Sequence, residues 1–229
     1  MRKLEIQHTD DGSTTLFIPE IDEHYHSVKG AYTESLHIYR DCAFRYASEQ
    51  FTPMHLPLRL LEIGFGTGLN AAVTAMATTD SCPVHYITLE KYPVSLDIVN
   101  QLGYEKLVPP QLFADIHDAP WGQPTCITPH FTLEKRCCDL LTSPLPYDID
   151  VVYFDAFAPE KQPEMWSADV FSLIHQAMRP GGVLTTYCAK GAIRRLLQEI
   201  GFTVERLAGP AGGKREILRA TKLPKSTAH

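Results

Sequence analysis

The chain has 229 residues, 44 % of them hydrophobic and 21 % charged, with a formal net charge of −6. This composition suits one globular core with additions and excludes disordered and fibrous classes. No apolar stretch approaches the roughly 20 residues of a membrane helix. The N-terminus, Met1-Arg2-Lys3-Leu4-Glu5, runs into polar residues where a secretory signal would be apolar, so no membrane association and a cytoplasmic location are expected.

The first 57 residues are expected to form an extension containing a β-hairpin turned at Asp10-Asp11-Gly12, followed by a stretch with little decodable pattern. Leu58 to Ile63 reads as a buried strand passing into Gly64-Phe65-Gly66-Thr67-Gly68 and then into a helix from Leu69. A second strand at 85–89 ends in Glu90 and leads to a helix over 94–102. The Pro-rich segment 107–130 has no strong period and is expected to be an insertion over the sheet edge. A third strand at 131–135 ends near Asp139, and a fourth at 150–154 terminates in Asp155. After a Pro180-Gly181-Gly182 turn comes a strand at 183–187, then a helix over 191–197 stopped by Gly201. Two β-like runs, 202–207 and 216–220, flank a hairpin loop at 209–213. Strands alternating with helices predict an α/β fold with a mostly parallel sheet and a C-terminal antiparallel hairpin. No linker divides residues 58–229, which are expected to act as one unit.

Charge is unevenly spread. Residues 1–178 carry 11 basic against 24 acidic side chains, and residues 179–229 carry 10 against 3. The basic segment reads as a solvated face or as a phosphate-binding patch. The six cysteines form no C-x-x-C pair and are expected to be reduced; His24 and His26, two apart, read as loop histidines, and no metal site is expected.

Gly64, Gly66 and Gly68 sit where a chain leaving a strand turns sharply and a ligand can approach the backbone. Their G-x-G-x-G spacing, preceded by Glu62 within the strand, differs from the nicotinamide fingerprint and fits an S-adenosylmethionine site. Glu90, closing the next strand, suits both hydroxyls of a ribose. Asp139 reads either as an acceptor for an adenine amino group or as an exposed turn residue. Asp155-Ala156-Phe157-Ala158-Pro159 brings a carboxylate, an aromatic ring and a stiffening proline to the same strand ends. The carboxylate there would hold or deprotonate an amine while Phe157 packs on a planar group; the plain alternative is a residue capping the next helix.

On these residues the sequence resembles a known family, the tRNA 5-methylaminomethyl-2-thiouridine methyltransferases, whose domain is the N-terminal half of the bifunctional enzyme MnmC and also occurs alone. The resemblance rests on Glu62 to Asn70, on Glu90-Lys91-Tyr92-Pro93, and on the long string from Phe154 to Trp166. Arg179-Pro180-Gly181-Gly182, Arg194-Arg195 with Gly201-Phe202, and Gly213-Lys214-Arg215-Glu216 extend it. It implies a Rossmann-like class I methyltransferase that binds S-adenosylmethionine through Glu62, Gly64, Phe65, Gly66, Gly68, Asn70, Glu90, Lys91 and Asp139. The segment around Tyr25, Ser27 and Glu34 is implied to close over the cofactor. Asp155 is implied as the catalytic residue holding the substrate amine, with Phe157 and Pro159 beside it. The implied partner is tRNA carrying 5-aminomethyl-(2-thio)uridine at the wobble position, its phosphates met by Lys190, Arg194, Arg195, Lys214 and Arg215. Bifunctional members also carry a flavin-dependent oxidase domain, for which 229 residues leave no room, so no flavin is expected. A methyltransferase acting on a small amine, a nicotinamide oxidoreductase and a non-catalytic cofactor-binding module are the competing readings.

Overall fold

The computed structural model describes residues 3–51 and 57–223. The chain opens with a three-stranded antiparallel sheet of β1 (Glu5–His8), β2 (Thr14–Ile18) and β3 (Glu23–His24). The expected hairpin is β1–β2, with Thr9 N bonding to Ser13 O across the turn at 3.0 Å. The segment that resisted reading is helical, Ala31–Glu34, Ser35–Arg45 and Tyr46–Phe51, wound in its middle as a π-helix. Its Ile38, Tyr39, Ala43, Phe44 and Ala47 are buried, but a π-wound helix has no regular 3.6-residue stripe to announce it.

The central sheet has eight strands: β4 (Leu58–Ile63), β5 (Val84–Glu90), β6 (Pro124–Thr128), β7 (Phe131–Cys137), β8 (Ile149–Phe154), β9 (Met178–Thr186), β10 (Phe202–Ala208) and β11 (Glu216–Lys222). Their order is β10-β11-β9-β8-β4-β5-β7-β6. The five inner strands β9, β8, β4, β5 and β7 run parallel, and β11 and β10 form the expected antiparallel hairpin. Every residue of β8 is buried, as a strand covered on both faces requires. One face, carrying Leu60, Tyr86, Val151, Tyr153 and Val183, packs under the helical run 31–51 and the helix Leu69–Ala75. The other, with Leu61, Ile87, Val152 and Phe154, packs under the helices Ala168–Ala177 and Gly191–Ile200.

Three local expectations are corrected. Residues 107–130 are not a patternless insertion over the sheet edge: they supply a helix, Pro110–Asp118, and the sheet's outermost strand β6, antiparallel to β7. Proline at the first helical turn needs no N–H donor there and starts the helix. The helix over 94–102 is shorter, Leu96–Val99: the chain past it closes in turns, Gln101 N bonding to Ile98 O at 3.0 Å and Leu102 N to Val99 O at 3.1 Å, with Val99 and Leu102 still buried. Pro180-Gly181-Gly182 lies within β9 rather than ahead of it. A Cβ on Gly182 would stand 2.9 Å from Arg179 O and 3.0 Å from Ile149 O, so glycine lets the strand pass through an irregular step beside β8.

The glycine loop after β4 is braced from outside the sheet. His26 Nε2 meets Thr67 Oγ1 at 2.8 Å, and His117 Nε2 meets Thr67 O at 3.2 Å. Lys135, 1 % exposed, closes the end of the helix Pro110–Asp118 by donating to Ile116 O and His117 O at 2.9 and 2.7 Å. Burial lowers the Lys135 ammonium to about 8 and both imidazoles to about 4, so that His26 and His117 are neutral at neutral pH. A histidine depressed from its ordinary 6.5 contributes stability fully present above that value and lost as pH falls toward about 4. Thermal and denaturant unfolding between these limits is expected to show a His26→Gln/His117→Gln variant taking up roughly two fewer protons on unfolding, one per ring; equal proton uptake would mean the rings are not held neutral.

Candidate active site

At the carboxyl ends of β4 and β8 the chain departs to opposite faces of the sheet, which leaves a crevice between them. Gly64 and Gly66 turn the chain there with φ of 91° and 52°, the left-handed region that side chains strain to enter. A Cβ on Gly66 would approach Tyr25 Cδ1 to 3.0 Å, and one on Gly64 would approach Asp155 O to 3.1 Å. The loop therefore fits closely between the N-terminal segment and the end of β8.

Two adjoining clefts open on this crevice. The first encloses about 880 Å3, its mouth included, and is lined by Gly64, Phe65, Gly66, Glu90, Lys91, Asp139, Tyr25, Asp155 and Phe157 together with apolar Ile63, Leu89 and Met165. Glu90 accepts from Gly66 N at 3.1 Å and Tyr92 N at 2.8 Å, which fixes its carboxylate at the rim with acceptor directions to spare. Asp139 accepts from Leu141 N at 3.0 Å and from Lys91 Nζ at 2.8 Å; the Lys91 bond holds its carboxyl below the usual carboxylate range. The glycine cradle, the rim carboxylates and the apolar floor are a donor and acceptor set that fits an adenosine-bearing cofactor.

The second cleft is lined by Glu23, His24, Tyr25, His26, Ser27, Glu34, Phe157, Tyr187, Lys214 and again Asp155. Tyr25, His26, Asp155, Ala156 and Phe157 are common to both clefts. Asp155 Oδ1 accepts from Tyr39 Oη at 2.6 Å and Oδ2 from Asn70 Nδ2 at 2.8 Å. Burial and the nearby Glu34 raise its carboxyl to about 7, against the pull of these two donors. The buried Glu34 takes Lys214 Nζ at 2.7 Å, and that ammonium stands 4.2 Å from the Tyr187 ring centroid. The loop after Asp155 is pinned twice, by Tyr187 Oη to Ala156 O at 2.9 Å and by Trp166 Nε1 to Phe157 O at 2.7 Å. Phe157 meets Tyr25 edge to face at 5.2 Å.

The expected site residues thus divide. Gly64, Phe65, Gly66, Glu90, Lys91, Asp139 and Tyr25 share the first cleft. Ser27 and Glu34 lie in the second, beside Asp155 and away from Glu90 and Asp139. Glu62, Gly68 and Asn70 line neither: Glu62 is wholly buried, Gly68 starts the helix, and Asn70 reaches Asp155. Pro159 also lines neither. Of the basic group, Arg195 and Arg215 are exposed and Arg194 partly so, while Lys190 pairs with Glu160 and Lys214 turns inward. Tyr39, in a helix, and His26 and Tyr187, just past the ends of strands, were missed, since a lone tyrosine or histidine gives no local signal of what it faces. Among the described residues there is no metal-binding cluster of His, Cys, Asp and Glu, and no helix is long and apolar enough to cross a membrane.

A family model for S-adenosyl-L-methionine-dependent methyltransferases matches residues 127–223. The chain is 31 % identical to the tRNA 5-methylaminomethyl-2-thiouridine biosynthesis bifunctional protein MnmC of Idiomarina loihiensis, over 86 % of this chain and 35 % of that protein. It is 30 % identical to the MnmC protein of Cupriavidus necator, over 91 % of this chain and 33 % of that one. The chain therefore spans about a third of the length of these relatives. Among solved structures, MNMC2 from Aquifex aeolicus superposes with a TM-score of 0.73 at 26 % identity, covering 100 % of this chain and 74 % of that one. Spermidine synthase from Thermotoga maritima shares the fold, with a TM-score of 0.64 at 13 % identity over 97 % of this chain and 70 % of that one. Sheet order, glycine cradle and relatives agree: residues 127–223 match the S-adenosyl-L-methionine-dependent methyltransferase family, and the chain is similar to the MnmC proteins over most of its own length.

Proposed function

We propose that this protein transfers a methyl group from S-adenosylmethionine to the primary amine of 5-aminomethyl-(2-thio)uridine at the wobble position of tRNA, in the cytoplasm. The observation that carries the reading is the position of Asp155 on the wall shared by both clefts. Residues 1–57 and 58–229 would act as one unit, because Leu16, Ala31 and Ile38 share a core with Leu60, Tyr86 and Val151.

In the first cleft, Glu90 would accept from the ribose hydroxyls and Asp139 from the adenine amino group, over the backbone of Gly64, Phe65 and Gly66. When bound, the cofactor supplies an electrophilic methyl group carried on a sulfonium. Asp155 faces this cleft from the side on which an amine would enter through the second. Tyr39 and Asn70 each occupy one acceptor direction of its carboxylate, which leaves one on each oxygen for the N–H groups of the amine. An ammonium has no lone pair with which to attack. Asp155, raised to about 7, is poised to take the departing amine proton near neutral pH and pass it to water through the open second cleft. Tyr25 and Phe157 would flank the planar base, and Arg194, Arg195 and Arg215 would meet phosphates outside.

The acidic wall of the second cleft, Glu23, Glu34 and Asp155 against Lys214, favours one alternative, a small cationic amine as substrate. Hydride transfer with a nicotinamide is not favoured by the family match or the relatives.

Incubation with labelled S-adenosylmethionine and bulk tRNA lacking the modification, followed by nucleoside analysis, is expected to put label in 5-methylaminomethyl-(2-thio)uridine. Label found only in added small amines would give the site to the alternative. Asp155→Ala is expected to lower turnover by roughly 10²–10⁴-fold, the range for losing a proton-transfer group, while calorimetric cofactor affinity changes little; a parallel loss of affinity would make Asp155 a cofactor ligand. Neutralising Arg194, Arg195 and Arg215 to Gln is expected to weaken tRNA binding and flatten its salt dependence by up to roughly three phosphate contacts. Unchanged affinity and salt slope in a filter-binding titration would return these residues to a solvated surface.

A further inference from the structure

Glu62 is the first acidic residue of the glycine motif, yet it lines neither cleft and is 0 % exposed. In the sheet it stands beside Thr88 of β5 and Tyr153 of β8, on the face covered by the helix that carries Asn70. Both carboxyl oxygens of Glu62, Asn70 Oδ1, Tyr86 Oη and Thr88 Oγ1 are buried there without a completed hydrogen bond. Thr88, Tyr86 and Asn70 are the side chains whose polar groups bear on the Glu62 carboxyl, and Asp155 is the nearby charge. Five buried polar atoms gathered around one carboxyl are best satisfied by pairing among themselves.

Asn70 is the member that leads outward. Its Nδ2 donates to Asp155 Oδ2 at 2.8 Å, while its Oδ1 points back into the cluster. Were the amide turned over, Oδ1 would face the Asp155 carboxylate, acceptor against acceptor. Something must hold the amide the productive way round. We propose that Glu62 is a positioning residue: its carboxyl donates a hydrogen bond to Asn70 Oδ1 and so keeps Nδ2 aimed at Asp155. Only a protonated carboxyl can donate, and burial supplies that condition by pushing Glu62 well above the ordinary carboxylate range. Tyr86 and Thr88 are the hydroxyl donors that bear on the Glu62 carboxyl and would serve its remaining oxygen. The inference rests on Asp155 being the catalytic carboxyl of the proposed reaction, but the arrangement it describes exists without any substrate.

The test follows the titration of Asp155 by carbon-13 NMR of aspartate-labelled full-length protein, with the Asp155 signal assigned by its loss in Asp155→Asn. The other groups facing Asp155, namely Glu34, Tyr39, Tyr86, Tyr187 and Lys214, are unchanged in every Glu62 variant compared. Glu62→Gln keeps a donor for Asn70 Oδ1 and is expected to leave the midpoint in place. Glu62→Met keeps the bulk and removes the donor; the midpoint is expected to rise by roughly half a unit to one unit, as a hydrogen bond to the charged form is lost. A fall in both variants would overturn the proposal by making Glu62 an ionised neighbour that repels Asp155, and an equal rise in both would make it a packing residue. Should Glu62→Met fail to fold, Glu62→Gln alone decides: an unmoved midpoint supports the relay and a moved one overturns it. Because the titration needs no turnover, a wild-type protein that shows the expected shifts but methylates no amine would count against the proposed function and leave the relay standing.

Discussion

Asp155 takes one hydrogen bond on each oxygen, from Tyr39 and from Asn70, at the point where the sheet reverses its winding. Bonds to an ionised group contribute about 1.5–3 kcal/mol each in mutational series, and here they work against burial and the charge of Glu34. The balance leaves the carboxyl at about 7, neither a fixed charge nor a fixed acid. Both donors come from helices on one face of the sheet, so the carboxyl keeps its setting only while those helices hold their register on β4 and β8.

That register has its own supports. His26 and His117 approach Thr67 from two different elements, and the buried Lys135 ties the helix Pro110–Asp118 to β7 while lying beside the rings of Phe65 and Trp121, 5.6 and 5.1 Å from their centroids. Polar side chains in such a core are costly unless bonded, and a bonded set admits few arrangements. The glycine loop gains definition from this polar bracing that an all-apolar contact would not give it. Phe65, carried by that loop, is thereby set on one wall of the first cleft.

The N-terminal segment belongs to the site as well as to the core. β3 and the residues after it bring Glu23, His24, Tyr25, His26 and Ser27 to the second cleft, and the following helical run brings Glu34 and Tyr39. Lys214 arrives from the opposite end of the chain and neutralises Glu34 across 180 residues of sequence. The ion pair does two things for Asp155: it offsets the repulsion of Glu34, and it covers the Tyr187 ring whose hydroxyl pins the loop after Asp155.

The sequence by itself determined the class of fold. Strand runs ending in Glu90, Asp139 and Asp155, glycines at spacing two, and a closing hairpin are local patterns, and local patterns set strand, turn and helix. It left the run 31–51 unread because π-winding breaks the helical period, and it took 107–130 for an insertion because an edge strand with no fully buried residue carries little hydrophobic alternation. It grouped Ser27 and Glu34 with the cofactor residues and Lys214 with phosphate contacts, and the fold sets all three on the cleft that Asp155 also lines. Which side chains meet was decided by tertiary structure alone: Tyr39 lies 116 residues from Asp155 and Asn70 lies 85. Nothing near either residue in sequence records that meeting, because it is fixed by how two helices pack across a sheet whose strand order is not the chain order.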